Sequence, residues 1–203
     1  DQRVNQFKVN GYYDFYSNEI LNDVRVKSSF LKDHFDAQEN QVSILANLSK
    51  HAVEIGKSGF NLNADLGVGL EAVKSEFAIL DQNSSNFVNL DLAPKVTFRK
   101  GDSYLMLGSS FAFLNSKNQN LMMAEQMNNN KTYWFPQAEF QYAAADEFKF
   151  YGGVDGGLKL NTYADLLQQN PFIVSDQYLR PTETKYLQLC QCCVGYFGAR
   201  FSG

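Results

Sequence analysis

FNLNADLGVGLE, residues 60–71, alternates apolar and polar side chains without a break. Successive side chains of a β-strand point to opposite faces, so this stretch predicts a strand with one apolar and one polar face. Strands usually have about five or six residues, and this run is twice as long. At about 3.3 Å per residue and a tilt near 40°, it spans roughly the 30 Å hydrocarbon thickness of a bilayer. The stretch therefore predicts a transmembrane β-strand, apolar toward lipid and polar toward an aqueous lumen.

The same alternation recurs along the chain. Residues 88–99 repeat it, and further strands are predicted at about 5–16, 24–30, 42–49, 105–113, 134–142 and 148–161, with a ninth beginning near Lys185. The only predicted helix is a single turn from Tyr163 to Gln168. These patterns predict an all-β, antiparallel up-and-down meander of eight or nine long strands. Such a meander forms a transmembrane β-barrel or part of one.

The predicted connections alternate in length. Short or moderate turns are expected near 17–23, 50–59, 100–103 and 143–147, and mostly longer loops at 33–41, 75–86, 116–131 and 162–185. Lys100-Gly101-Asp102-Ser103 is predicted to be a tight hairpin, because Gly and Asp tolerate the backbone angles of such a turn. Outer-membrane barrels have short periplasmic turns and long extracellular loops. The alternation therefore favours a membrane barrel, with the longer loops on one side.

Aromatic residues are abundant, with 17 Phe, 11 Tyr and a single Trp. They cluster at the predicted strand ends, as expected of aromatic girdles at the two membrane interfaces. Those beside the short turns are Phe15, Tyr16, Phe60, Phe98, Tyr104, Tyr142 and Phe148; those at the other ends are Phe30, Phe87, Phe113, Tyr133 and Trp134.

Length and charge set broad limits. The 203 residues are predicted to form a single β-barrel domain over 1–203, and a net charge of −4 argues against nucleic acid as a partner. The chain contains no run of 18 apolar residues, so no transmembrane helix is predicted. Because the first strand begins within five residues of Asp1 and the chain continues past the eighth, we expect a piece of a longer barrel whose sheet is not closed.

Residues 187–203 are atypical of the rest. Cys190, Cys192 and Cys193 lie there, and no His lies within forty residues, so they could supply only part of a four-ligand zinc site. A sequence error or an altered reading frame is an alternative explanation. No metal and no cofactor are predicted, and residues after Leu187 are expected to be the least regular part of the sheet.

Catalytic motifs are weak, and the protein is predicted not to be an enzyme. Asp33 and His34 are adjacent, so on a strand they would point to opposite faces. Residues 152–157 are Gly-rich, but a strand rather than a helix follows them, unlike a dinucleotide-binding turn. The polar stretch 81–86 lacks the Gly and Glu of a calcium loop and is predicted to be a surface loop.

The polar sides of the predicted strands carry charges of both signs, which we expect to face the lumen and to give no strong ion selectivity. These candidate lumen-facing residues are Lys8, Arg25, Lys27, Asp65, Glu71, Asp91, Lys95, Arg99, Glu139, Lys149, Asp155 and Lys159. Their expected role is to hydrate the lumen and to pair across it.

From 152 to 186 the chain reads GGVDGGLKLNTYADLLQQNPFIVSDQYLRPTETKY. This segment resembles flavobacterial (Bacteroidetes) outer-membrane β-barrel proteins of the TonB-dependent-receptor-like type. The matching features are Asp155-Gly156-Gly157, Lys159, Asn161, Tyr163, Asn170-Pro171-Phe172 and Arg180-Pro181-Thr182, with Leu92-Ala93-Pro94 and Trp134-Phe135-Pro136 upstream. No plug domain or TonB box is visible. The resemblance implies export to the outer membrane of a Gram-negative cell and a role in transport or envelope structure.

We therefore expect an outer-membrane β-barrel protein, transport- or porin-like or part of a TonB-dependent receptor. Its expected partners are membrane lipid, an unidentified small-molecule substrate and, as the resemblance implies, a TonB-type energy-coupling system. The alternative is a structural or adhesin-type envelope barrel that binds partners through long loops. A soluble all-β binding protein is a third interpretation.

Overall fold

The computed structural model describes residues 3–16, 20–55, 59–79, 82–120, 125–145, 148–174, 179 and 182–195. The side chains of 51–55, 125, 145 and 182–195 are outside this description. Parts of the predicted turns at 17–23, 50–59 and 143–147, and of the 162–185 connection, also lie outside the described residues. No helix in the described part of the chain is long and apolar enough to cross a membrane.

Nine strands form one antiparallel sheet in which every strand pairs with its neighbours in sequence, which confirms the all-β meander. The strands are β1 (Val4–Asp14), β2 (Leu21–Asp33), β3 (Gln38–Ile55), β4 (Phe60–Glu76), β5 (Asn83–Lys100), β6 (Ser103–Asn120), β7 (Glu125–Ala145), β8 (Phe148–Leu160) and β9 (Thr182–Gly195). One helix, α1 (Tyr163–Gln169), lies between β8 and β9 and matches the predicted helical turn.

The sheet is open. Among the described residues β1 pairs with β2 alone and β9 with β8 alone, so the two ends of the meander are not joined. The expectation of an open sheet is therefore confirmed. The β5–β6 turn is the tight hairpin predicted at 100–103: Lys100 pairs with Ser103, and Gly101 has a φ of 55° that favours glycine.

Strand replaces half or more of three predicted long loops. β2 continues to Asp33 and β3 begins at Gln38. β4 continues to Glu76 and β5 begins at Asn83, while β6 continues to Asn120, which pairs with Glu125 of β7. The predicted loops 33–41, 75–86 and 116–131 are thus wrong in extent. The alternation fades there because both faces become polar, but the ladder is made by backbone groups and does not require apolar side chains.

The two faces of the sheet have opposite character, as the alternation predicts. Directly opposite residues share a face, so the strand register groups the side chains into rows across the sheet. One such row reads Tyr13, Val24, Ala46, Val68, Leu92, Phe111 and Trp134; a row on the other face, three residues along the strands, reads Asn10, Lys27, Ser43, Glu71 and Asn89. We call these the apolar face and the polar face.

The apolar face is exposed. The side chains of Phe7, Leu66 and Trp134 are 67%, 36% and 58% exposed, and exposed residues of this kind occur on every strand from β1 to β8. Not all predicted girdle aromatics lie there. Phe87 is fully buried on the polar face, since it is opposite Val73 and two residues from Asn89. The position of Phe87 at a strand end did not determine which face of the sheet its side chain occupies.

The sheet curls so that the polar face is concave. Six inter-strand spacings of about 4.8 Å separate β2 from β8, which is roughly 29 Å in a flat sheet. Tyr163 follows the end of β8 by three residues, which span at most about 11 Å. Its hydroxyl nevertheless donates to Asp33 Oδ2 on β2 at 2.9 Å. Two side chains cannot cover the remaining distance, so β2 and β8 must approach one another.

A small hydrophobic core lies inside this curve, at the end of the sheet where α1 begins. Tyr163 is fully buried at its centre, and its ring meets that of Phe77 edge to face at 5.1 Å. The core also contains Leu31, Ala37, Val73, Phe87, Leu114, Leu160, Ala164 and Leu179.

The end of β8 departs from the predicted alternation. The alternation that predicts Lys159 in the lumen also predicts Leu158 and Leu160 on the lipid side, but Leu160 is 2% exposed in the core and Leu158 packs against it. The pairing of β8 with β9 shifts register between Asp155 and Gly157, which interrupts the regular alternation of the ladder.

β9 is more regular than expected. It pairs with β8 as far as Gly195, opposite Phe148, so the stretch after Leu187 is a strand up to that residue. Cysteine behaves as a small apolar residue and is compatible with a strand. Residues 196–203, and the side chains of the three cysteines, lie outside the described part.

Candidate functional site

The concave polar face holds eleven of the twelve candidate lumen-facing residues, as judged from the strand register. Three of them line each of two pockets, and most of the remainder contact neighbouring side chains. The register places these eleven residues on one face of the sheet, and the sequence did not predict which of them meet.

The first pocket has a volume of about 280 Å³ and lies on β1 to β4. Lys8, Lys27 and Glu71 line it, together with the amide of Gln41. Gln41 Nε2 donates to Glu71 Oε1 at 2.8 Å, which orients the carboxylate. The remaining lining residues are Asn10, Ser28, Ser29 and Ser43. This pocket is polar and contains both signs of charge, as expected for a surface in contact with water.

The second pocket has a volume of about 400 Å³ and lies between β5 and β8. Lys95, Glu139 and Asp155 line it. Gln137 Nε2 donates to Asp155 Oδ1 at 2.9 Å, and the hydroxyl of Tyr104 donates to Glu139 Oε1. Asp65 is directly opposite Lys95 in the β4–β5 ladder, which adds a carboxylate to this end of the face.

Two cations near the short turns are held by neighbours. Arg25 Nε lies 3.1 Å from Asp23 Oδ1, and its guanidinium is 5.2 Å from the centre of the Tyr12 ring. Arg99 is similarly placed over the ring of Tyr104, at 5.5 Å. Because both guanidinium groups contact neighbouring side chains, they contribute more to the shape of the polar face than to its free charge.

Lys149 is bound at the β5–β6 hairpin. Its Nζ lies 2.6 Å from Asp102 Oδ2. The hydrogen bond and the charge of Lys149 lower the pKa of the Asp102 carboxyl below its usual value. Both side chains are solvent-accessible, so this pair ties two neighbouring hairpins without forming a buried site.

The centre of the polar face contains buried amides. Asn89 is 1% exposed, and its Nδ2 donates to Asp91 Oδ2 at 2.6 Å. Asn89 Oδ1 and Gln137 Oε1 are buried and accept no hydrogen bond from the described residues. Buried amide oxygens are almost always paired, with protein or with ordered water. These two oxygens can accept hydrogen bonds from water on the polar face.

Lys159 is the exception among the candidates. Its Nζ lies 2.8 Å from Asp165 Oδ2 of α1, and its side chain is 63% exposed. It therefore pairs with the connection that follows β8, at the point where the alternation of this strand is interrupted.

Two carboxylates that the sequence analysis did not select are buried beside α1. Asp33 is 4% exposed and Glu39 is 2% exposed. Asp33 Oδ1 accepts from the backbone N–H groups of Phe35 and Ala37, which folds the β2–β3 turn, and its Oδ2 accepts from the Tyr163 hydroxyl. Asp33 is therefore engaged by this turn and by the core. His34, its neighbour, is exposed.

Glu39 binds the start of α1. It accepts hydrogen bonds from the backbone N–H groups of Tyr163 and Ala164, and from Ser75 Oγ at 2.8 Å. Burial raises the pKa of Glu39 above its usual value, and the hydrogen bonds from α1 and Ser75 oppose this rise. The sequence offered one relevant signal: Thr162 caps the helix by accepting from Asp165 N at 3.0 Å.

The remaining motifs do not assemble into a further site. Residues 152–157 lie within β8, as predicted, but the prediction of a surface loop at 81–86 is wrong for residues 83–86, which belong to β5. The described residues contain no group of three or more His, Cys, Asp or Glu placed to hold a metal ion.

Comparisons with protein-family models, with curated proteins and with solved structures found no match to this chain.

Proposed function

We propose that this chain forms the wall of an outer-membrane β-barrel in a Gram-negative cell and lines a transport- or porin-like passage for small polar solutes. The apolar face contacts lipid and the concave polar face contacts water. The observation that carries the proposal is the continuous exposed apolar face, which extends over eight neighbouring strands.

Such a face is unfavourable in water. Monomeric soluble proteins rarely expose contiguous apolar patches larger than a few hundred Å². Here exposed side chains such as Phe7, Leu70, Phe113 and Phe140 lie on one side of the sheet, and the described residues place no second layer over them. Lipid is the partner whose chemistry matches this surface.

The height of the apolar face fits a bilayer. On β5 the apolar-face residues run from Val88 to Phe98, ten residues apart. This is about 33 Å along the strand, or about 25 Å along the membrane normal at a tilt near 40°, which is the usual height of the apolar band of such barrels. Beyond it the same face becomes polar, with Asn86 on β5 and Lys74 opposite on β4.

The polar face supports the second half of the proposal. Its charges of both signs, its two pockets and its buried amide oxygens fit a surface that water fills. The mixed charge suits small neutral or zwitterionic solutes better than ions of one sign. Assignment to TonB-dependent receptors rests on the resemblance of residues 152–186, and coupling to a TonB-type system is proposed on that basis alone.

The experiment is reconstitution of the chain into lipid vesicles. We expect it to float with the vesicles in a density gradient, to resist extraction with alkaline carbonate, and to let small sugars enter so that the vesicles swell. A chain that stays monodisperse in buffer without detergent or lipid would contradict the membrane assignment. Insertion without solute entry would contradict the transport role alone.

One observation favours an envelope structural or adhesin-type role as the second candidate. The β6–β7 hairpin extends beyond the apolar face, where Asn115 Nδ2 donates to Asn130 Oδ1 at 2.7 Å and the neighbouring exposed side chains are polar. A polar extension of this kind offers a surface for binding a partner. Binding of a partner that is lost when this extension is shortened, without any solute entry, would support this candidate.

A further inference from the structure

The first part of the connection between β8 and β9, including the start of α1, lies inside the concave polar face instead of projecting from the sheet. Leu160 at its start and Leu179 near its end are both 2% exposed and belong to the same core as Tyr163. Asn118 Nδ2 of β6 donates to the Leu179 carbonyl at 3.3 Å, so the far end of the connection is held on this face as well.

We propose that residues 161–174 of this connection, which include α1, form the size-limiting barrier of the passage, held in place by hydrogen bonds from Tyr163 and Ala164 to Asp33 and Glu39. The inference rests on the proposed function and adds to it the element that selects solutes by size. We call the four residues the latch.

The latch joins parts of the chain that are far apart in sequence. The Tyr163 hydroxyl donates to Asp33 Oδ2 at 2.9 Å, over a separation of 130 residues. Ala164 N donates to Glu39 Oε1 at 3.0 Å, over 125 residues. The first turn of α1 is therefore attached to β2 and β3, on the far side of the curve from β8, where the connection starts. A segment attached in this way crosses the concave space.

The floor beneath α1 is apolar, unlike the rest of the polar face. Leu31 of β2, Val73 of β4, Phe87 of β5 and Leu114 of β6 contribute to it. These four residues lie at inward positions of four different strands, where the alternation elsewhere places polar groups. These apolar residues on an otherwise polar face are buried because α1 covers them, so the helix occupies this end of the passage in the folded state.

The latch consists of hydrogen bonds to buried acceptors, so the stabilisation lost when one of them is removed can be stated. An intramolecular hydrogen bond stabilises by up to roughly the free energy that corresponds to a tenfold change in population. Removing the Tyr163 hydroxyl alone should thus raise the population with the connection displaced by about tenfold, while the ring still fills the core. Removing the whole side chain should raise it further.

The test uses the full chain in vesicles of phosphatidylethanolamine and phosphatidylglycerol, with two readouts. The first is the rate of swelling with neutral sugars, from a monosaccharide to a tetrasaccharide. The second is the rate of chymotryptic cleavage after Leu166, within α1, which follows the displaced population when reclosing is fast. The variants are Tyr163→Phe and Tyr163→Ala, and the control is Gln169→Ala, because Gln169 lies on the same helix and is exposed.

We expect Tyr163→Phe to raise both the entry of the larger sugars and the cleavage rate by about tenfold, Tyr163→Ala to raise them more, and Gln169→Ala to leave both unchanged. Inserted variants that admit sugars with the same size limit as the wild type would overturn the barrier. Cleavage rates equal to the control would overturn the latch. Failure of every variant, and of the wild type, to insert into vesicles would instead contradict the proposed function, and cleavage in buffer would still test the latch.

Discussion

Replacing Leu66 with Arg tests the lipid-facing assignment most directly. Leu66 lies on the apolar face of β4, midway between Phe60 and Ala72, and is 36% exposed. Each end of that run is six residues away, about 20 Å along the strand and about 15 Å along the membrane normal. If the apolar face contacts lipid as proposed, the substitution places a charge near the bilayer midplane.

The expected cost is about 2–4 kcal/mol of unfolding free energy, the usual penalty for Arg at this depth on the outer face of a barrel. In a protein surrounded by water the same substitution at a partly exposed surface residue would change stability by only about 0.5 kcal/mol in either direction. The loss of unfolding free energy expected in lipid is thus several times the change expected in water.

Two control substitutions distinguish the effect of the sheet face from the effect of depth in the membrane. Asp65→Arg places the same charge at the same depth on the polar face, opposite Lys95, and should cost about 1 kcal/mol or less through like-charge repulsion. Gln119→Arg lies beyond the apolar belt, opposite Ser84 and Gln126, and should cost about 0–1 kcal/mol.

The assay is denaturant unfolding of the reconstituted protein, followed by tryptophan fluorescence of Trp134. Equal destabilisation by Leu66→Arg and Asp65→Arg would refute the sidedness of the sheet. A Leu66→Arg variant as stable as the wild type would refute contact with lipid at this position.

Three further predictions concern packing, pH and topology. Gly153→Ala should cost about 1–3 kcal/mol, because its Cβ would lie 2.9 Å from the Ala138 carbonyl oxygen, whereas Gly157→Ala on the same strand meets nothing within 4 Å and should be neutral in urea unfolding. Burial raises the native pKa of Glu39, so its contribution to stability should be greatest below its unfolded-state pKa and fall as pH rises through the native pKa; a urea series in which Glu39→Gln keeps the wild-type pH dependence would contradict this. In a variant without the native cysteines, cysteines placed at Asp102 and Gln169 should react with an impermeant reagent from opposite sides of the membrane, and labelling of both from outside intact cells would overturn the topology.

The sequence alone determined which face each side chain takes over most of the sheet. A period of two places Leu66 and Asp65 on opposite sides wherever the segment is a strand, whatever its neighbours are. The hairpin at Gly101-Asp102 and the start of α1 after Thr162 were likewise predictable, because both depend on local backbone preferences and caps.

Only the tertiary structure decided how far the strands extend and what lies inside the curve. Asn120 pairs with Glu125 through backbone groups. Such pairing does not require any pattern of apolar and polar side chains, so the sequence does not reveal it. The burial of Tyr163 depends on Asp33, 130 residues away, and on the curvature that brings β2 toward β8. Local periodicity contains no information about such contacts, because they arise from the curvature of the whole sheet around a shared interior.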